Sequence, residues 1–355
     1  MQVDCFFWYS LVMKIGIVGF PGSGKTTLFN ALTGQDAPTG FGGGKVNLGV
    51  IKLPDHRVDR LAEIDNPRKK TYAEVTFADV PGGRGSSSLD PQTLGRIREM
   101  DALVQVVRGF DEGLGAPDPA AEVISFEAEL ILGDMQVAEK RVERLRKDLS
   151  DPRQLALLER GLAHLGEGAP LREMELGDEE RASLAGFAFL SLKPLMAVLS
   201  QPEGAPPGEL PGGLRALAEQ RGLRVMPLSG PIEAEIAALD PDDQQAFLAD
   251  LGLEEPAAAR FITEAFALLD LITFLTRGPD DCHAWPLRRG STAIEAAGTV
   301  HSDMARGFIR AEVVAFDDLD RLGSDAACRD AGKLRVEGRD YVVADGDICH
   351  FRFNV

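Results

Sequence analysis

Cysteine is scarce in this 355-residue chain, and Cys5, Cys282, Cys328 and Cys349 are scattered with no C-x-x-C pair. That spacing offers neither a zinc ligand set nor a disulfide framework and suits a reducing compartment, so a cytoplasmic location is expected. His56, His164, His283 and His350 likewise lack metal-ligand spacing. No apolar run approaches the length that spans a bilayer, so no membrane partner is expected. Positive charge is in deficit: 38 Lys and Arg against 56 Asp and Glu leave a formal net charge of −18. Such a field argues against nonspecific binding to nucleic acid or anionic membranes, although a local basic face is compatible with it. The composition, 44% hydrophobic and 26% charged, can bury a sizeable core, and the length calls for two or three domains. The stretch 1–13 contains Phe6-Phe7-Trp8-Tyr9, but Asp4 stands where a signal peptide would be basic and no small-residue cleavage site follows. It is expected to be a disordered leader or an upstream start, with Met13 the natural beginning.

What the chain does carry is Gly19-Phe20-Pro21-Gly22-Ser23-Gly24-Lys25-Thr26, which fits G-x-x-x-x-G-K-[ST]. Glycines let backbone N–H groups converge on phosphate oxygens, and a following helix N-terminus adds partial positive charge. Lys25 would reach the β/γ-phosphates and the Thr26 hydroxyl would hold Mg²⁺. Lys14-Ile15-Gly16-Ile17-Val18 before the loop predicts a buried strand, and Thr27 to Leu32 after it predicts a helix. Gly19, Pro21, Gly22, Ser23, Gly24, Lys25, Thr26 and Thr27 therefore form the expected phosphate-binding set. Asp79-Val80-Pro81-Gly82 supplies D-x-x-G at a strand end, with Asp79 as a water-mediated metal partner and Gly82 approaching the γ-phosphate.

Strands and helices alternate from Lys14 to about Pro119, predicting a parallel sheet covered by helices, with strands over 47–53, 71–80 and 102–107 and a helix over 54–63. Ile131, Met135, Ala138, Val142, Leu145 and Leu149 then form a heptad seam that Leu155, Leu158, Leu162 and Leu165 repeat after Ser150-Asp151-Pro152. This predicts an antiparallel helical hairpin. Its Lys140, Arg141, Arg144, Arg146 and Lys147 are interleaved with Glu139 and Glu143, which favours a solvated flank over a nucleic-acid patch. Alternation resumes over 193–271, and the remainder predicts a compact β-rich domain of short strands around one helix at 291–303. His301 and Asp303, two apart on that helix, would not face each other and are expected to be structural or to meet a partner.

The Gly307 to Val313 stretch, Glu337-Gly338-Arg339-Asp340-Tyr341, and Asp345-Gly346-Asp347 with His350 to Val355 resemble a TGS domain. Together with Ile232 to Ile236, Leu251 to Pro256 and the phosphate loop, they make the chain from Lys14 to Val355 similar to the YchF subfamily of Obg-related P-loop NTPases. The resemblance implies an α/β fold: a P-loop GTPase-like sheet over 14–118 and 187–271, an inserted helical coiled-coil hairpin over 119–186 and a C-terminal β-grasp (TGS) domain over 272–355. It also implies Mg²⁺-dependent binding of ATP in preference to GTP, slow hydrolysis, and association with ribosomes through ribosomal RNA or protein.

Against that pattern, Ser200-Gln201-Pro202-Glu203 occupies the N-x-x-E base motif with serine for asparagine, and Ser229-Gly230 lies at the last base-side loop. Ser200, Glu203, Ser229 and Gly230 are thus the expected base-side residues, and GTP stands as the other candidate nucleotide. A wrong base edge leaves a polar group unpaired, at about 1–3 kcal/mol. The glycine run Gly40 to Gly44 takes the place of the threonine that closes over Mg²⁺, leaving Thr39 as the nearby hydroxyl. Gly83 follows D-x-x-G in a loop, Gly83 to Thr93, shorter than in relatives, and Phe110 to Pro119 holds no histidine. The leading expectation is a slow ATPase acting as a translation-linked switch. A nucleotide-sensing module with little or no hydrolysis is the alternative, and a P-loop kinase the second.

Overall fold

A computed structural model describes residues 13–39, 45–82, 89–111, 113, 115–148, 150–205, 208–253 and 255–354. The expectations for the leader, for Gly40 to Gly44 and for Gly83 fall outside them. The chain opens with β1 (Lys14–Val18), α1 (Lys25–Thr33), β2 (Asn47–Leu53), α2 (His56–Asp65), β3 (Lys69–Thr71), β4 (Ala73–Asp79), α3 (Pro91–Arg98) and β5 (Ala102–Arg108). Next come α4 (Pro119–Asp148), α5 (Pro152–Gly166), α6 (Asp178–Ala185), β6 (Leu195–Ser200), α7 (Gly212–Arg221), β7 (Arg224–Leu228), α8 (Gly230–Ala238), α9 (Pro241–Asp250) and α10 (Ala257–Leu268). The last part holds β8 (Leu271–Thr276), β9 (Asp281–Arg288), α11 (Ala293–Val300), α12 (Ser302–Arg306), β10 (Phe308–Ala315), α13 (Phe316–Leu322), α14 (Asp325–Asp330), β11 (Arg335–Glu337) and β12 (Asp347–Phe353).

These elements form two compact units, one of Lys14–Gly49 with Thr76–Leu268, the other of Val50–Val75 with the chain from Leu269 onward. The first is built on a sheet of order β2-β4-β1-β5-β6-β7. Ile15 and Ile17 are fully buried in β1, which pairs in parallel with β4 on one side and β5 on the other. Burial on both faces is why these strands read as continuous apolar runs. Parallel strands also bring the ends of β1, β4, β5, β6 and β7 to one edge, where ligands of open α/β sheets bind.

The helical hairpin joins that same unit instead of standing apart as a segment of its own. In α4, Phe126 and Leu130 pack with Val18, Phe20 and Leu103 of the sheet core. The seam begins one residue later, where Ile131, Ala138, Val142 and Leu145 meet Leu157, Leu158 and Leu165 of α5. The break falls where Asp151 caps α5 by accepting from the Gln154 N–H at 3.0 Å. Arg141 donates to Gln154 and Arg146 to Glu159 across the hairpin, so part of the basic run holds the two helices together.

Residues 50–75, expected in the nucleotide domain, belong to the second unit. β3 pairs in parallel with β9 (Lys69↔Asp281), and Arg57 bridges Asp55 and Asp345. Partners more than two hundred residues away, as Asp281 is from Lys69 and Asp345 from Arg57, leave no trace in local periodicity. The second sheet has the order β11-β10-β12-β8-β9-β3, and α11 buries Ala293, Ala296 and Ala297 among Phe274, Val313 and Phe351, a β-grasp arrangement. This unit has more than the one expected helix. The stretch 291–303 breaks at His301, whose ring accepts the Asp303 N–H at 3.1 Å, and α13 and α14 are too short for a helical period to be read. His301 and Asp303 thus do meet, as a helix cap.

Candidate nucleotide site

The glycine loop links β1 to α1 with Gly19 at φ 140° and Gly24 at φ 91°, backbone that side chains rarely adopt. A Cβ on Gly19 would sit 2.5 Å from the Val106 carbonyl oxygen of β5. The α1 N-terminus has no side-chain cap, so its first N–H groups are free to meet an anion. Lys25 is buried, and its ammonium donates to the Phe20 carbonyl at 2.8 Å within the loop. Burial lowers its pKa to about 8, against opposing attraction from Asp79 and Glu122. Ser23 Oγ is buried with no partner among the described residues.

Asp79 ends β4, one strand over from the loop. Its Oδ2 accepts from Thr26 Oγ1 at 3.0 Å and from Asn47 Nδ2 at 3.1 Å, while its buried Oδ1 has no partner among the described residues. One oxygen fixed by two donors and one left open is the arrangement a water-mediated Mg²⁺ partner needs, and Thr26 adds a hydroxyl beside it. Gly82 comes against the loop: a Cβ there would lie 3.0 Å from Pro21 Cδ and 3.1 Å from the Gly19 oxygen. The D-x-x-G segment and the phosphate loop are therefore one site. Thr39 lies exposed.

On the base side, Ser200 ends β6 with its Oγ 2.7 Å from where a Cβ on Gly24 would be, and Gly230 opens α8 against the Thr27 methyl at a corresponding 3.0 Å. Ser229 Oγ is buried and has no partner among the described residues. Ser200, Ser229 and Gly230 thus gather around the start of α1, whereas Glu203 stands on an exposed turn beyond β6.

Two features escaped the sequence reading. Asn47, the first residue of β2, is tied to the site only by the β2-β4 neighbourhood. Glu122 in the first turn of α4 accepts from Arg108 Nε at 2.7 Å and from the Arg108 N–H at 3.1 Å, and its charge is felt by Lys25. No motif marks either residue. Asn47→Ala should lower Mg²⁺-dependent nucleotide affinity about tenfold, the usual cost of losing an outer-shell partner, and leave Mg²⁺-free affinity unchanged. Titrations with and without Mg²⁺ check this.

A family model described as a 50S ribosome-binding GTPase matches residues 14–140, and one for the C-terminal part of YchF GTPases, described as a protein of unknown function, matches 271–354. The ribosome-binding ATPase YchF of Haemophilus ducreyi is 39% identical over 360 residues, covering 96% of this chain and 99% of that relative. Its counterpart in Bacillus subtilis is 37% identical over 366 residues, covering 97% and 100%. The structure of the Schizosaccharomyces pombe YchF GTPase matches with a TM-score of 0.85 at 26% identity, covering 96% of this chain and 98% of that one. Fold and site together define a P-loop nucleotide-binding protein of the GTPase-like class. At 39% identity over nearly its whole length, the chain belongs to the YchF family. Among the described residues no helix is long and apolar enough to cross a membrane.

Proposed function

We propose that this chain is a Mg²⁺-dependent NTPase that binds ATP in preference to GTP, hydrolyses it slowly and acts as a nucleotide-controlled switch on the ribosome. The observation that carries the catalytic part is the half-satisfied Asp79 carboxylate beside Thr26. The loop N–H groups from Gly19 to Thr27 would cradle the phosphates, with Lys25 compensating their charge. Thr26 and Asp79 would hold the Mg²⁺, whose chemistry is to neutralise charge on the β- and γ-oxygens. Gly82 would sense the γ-phosphate through its N–H, and Ser200, Ser229 and Gly230 would face the base, with Glu203 reaching it only if its turn folds inward. Ribosome association and adenine preference rest on relatives named ribosome-binding ATPases. A calorimetric panel of ATP, ADP, GTP and GDP with Mg²⁺ tests the nucleotide assignment. Adenine nucleotides should bind at least about tenfold tighter, in line with one unmatched polar group on a guanine edge; the reverse order would overturn the base assignment.

A second reading, a nucleotide sensor with little hydrolysis, is favoured by the absence of histidine from Phe110 to Pro119 and by Gly83 after D-x-x-G. Water positioning and charge stabilisation are worth orders of magnitude in rate, so binding can persist where turnover fades. Single-turnover phosphate release separates the two: a rate well above that of a Lys25→Ala control supports the ATPase, and a rate equal to it supports the sensor.

A further inference from the structure

The edge of the first sheet opposite the glycine loop holds a cavity of about 280 Å³, bounded by Arg172, Arg221 and Arg224 around Glu127. It lies where β6 and β7 begin, at Leu195 and Arg224, whereas the nucleotide elements lie where β1 and β6 end. Its size is at the small end of ligand pockets, roughly 300–1,000 Å³, and suits a compact ion better than a nucleotide.

The charges that line it are unequal, three arginines against the two carboxylates Glu127 and Glu173. Glu127 is buried on α4 and takes both Arg172 and Arg221, one on each oxygen. A single carboxylate therefore serves two guanidinium groups. Arg172 Nη1 and Glu127 Oε1 are both buried with no hydrogen-bond partner among the described residues, so the Arg172–Glu127 contact is an ion pair that leaves one donor of the guanidinium unmet. Burial is the main force that pushes the Arg172 guanidinium down to about 10; Glu173, which is exposed, acts against the shift, and Arg221 adds to it. Arg224, half exposed, pairs with Glu264 at 3.2 Å through Nη1, one nitrogen of a guanidinium that has five N–H donors. An unmet buried guanidinium donor is costly, and a planar fork beside a second guanidinium matches the oxygens of a phosphate or carboxylate.

We propose that this cavity binds one small oxyanion, a phosphate or carboxylate group, through Arg172 and Arg221, with Arg224 on the exposed rim. The anion takes up the Arg172 donor that Glu127 leaves unmet, and it binds independently of the nucleotide loop at the other edge of the sheet.

The test uses the full chain carrying Lys25→Ala, so that the glycine loop does not compete, in sodium phosphate, citrate or chloride at equal ionic strength. Phosphate or citrate should raise Tm saturably by about 5–10 °C over chloride near 100 Kd, the linkage shift expected for a unit of this size. The arm that responds identifies the phosphate or the carboxylate class. Adding Arg172→Gln or Arg221→Gln should abolish the shift. Glu127→Gln, which frees both guanidinium groups, should tighten anion binding about tenfold by calorimetry, as removal of a like charge does. No saturable shift in either anion, or a shift that survives both arginine substitutions, overturns the proposal. Where an arginine variant does not fold, Glu127→Gln decides: unchanged or weaker anion binding overturns it, since a triad that is only structural gains nothing from losing its carboxylate.

Discussion

Lys25→Ala should weaken ATP binding by about 10- to 100-fold, because it removes one charge-assisted contact to phosphate worth roughly 1.5–3 kcal/mol and leaves phosphate charge uncompensated in a buried loop. Calorimetry on the variant checks this; ATP affinity within threefold of the parent would sink the assignment of the loop. The same residue predicts a pH effect. In the free protein burial holds the Lys25 pKa at about 8 instead of 10.5. The cost of burying its charge is fully present below pH 8 and fades as pH rises from 8 to 10.5, where the unfolded chain binds more protons than the folded one. Bound phosphate favours the ammonium and raises the pKa again. Between pH 8 and 10 nucleotide affinity should therefore fall by up to about tenfold per pH unit, with net proton uptake on binding. Calorimetry at pH 9 in buffers of different ionisation enthalpy measures the uptake by Lys25, and only about a tenth as much should be seen at pH 7.

Asp134→Ala carries the largest expected loss of stability, about 3–5 kcal/mol, or roughly 10 °C in Tm for the unit that holds it. Asp134 sits fully buried on α4 and accepts from the Leu190 N–H at 2.8 Å and from the Ser191 N–H and Oγ at 2.7 Å. Burial pushes its carboxyl above the ordinary range; the three donors and Arg98 oppose that shift. Alanine removes one acceptor from three donors at once, each costing about 1–3 kcal/mol when left unmet, with partial rescue by water. Asp134→Asn should cost less, as it keeps one acceptor oxygen. The latch ties α4 to the segment that enters β6, the strand ending at Ser200. Differential scanning calorimetry tests it, and a shift under 2 °C for Asp134→Ala would show that the latch carries no stability.

The parts of the site that could be read in the sequence are those whose chemistry is contiguous. Gly19 to Thr26 would act through consecutive backbone N–H groups, so spacing and the flanking strand and helix were enough to propose them as a phosphate loop. Asp79 and Gly82 were readable because D-x-x-G brings a carboxylate and a side-chain-free N–H, the proposed metal partner and γ-phosphate sensor, to one strand end. The hairpin announced itself because coiled-coil packing repeats along the chain, from Ile131 to Leu165. Glu203 shows the limit of alignment to a motif: its position followed from the motif, but the turn that carries it is exposed.

By itself, then, the sequence determined the phosphate loop, the alternating strands and helices, and the hairpin, since each is dictated by neighbours within a few residues. Only the tertiary structure decided that Asn47 steadies Asp79, that Glu122 lies within reach of Lys25, that residues 50–75 complete the second sheet, and that two arginines converge on Glu127. Those depend on strand order and on burial, which raise the worth of a charge or a hydrogen bond between residues distant along the chain and leave no periodic mark in it. The glycine loop proposed to bind phosphate is local chemistry; what surrounds Lys25 and Asp79 is a property of the packed sheet.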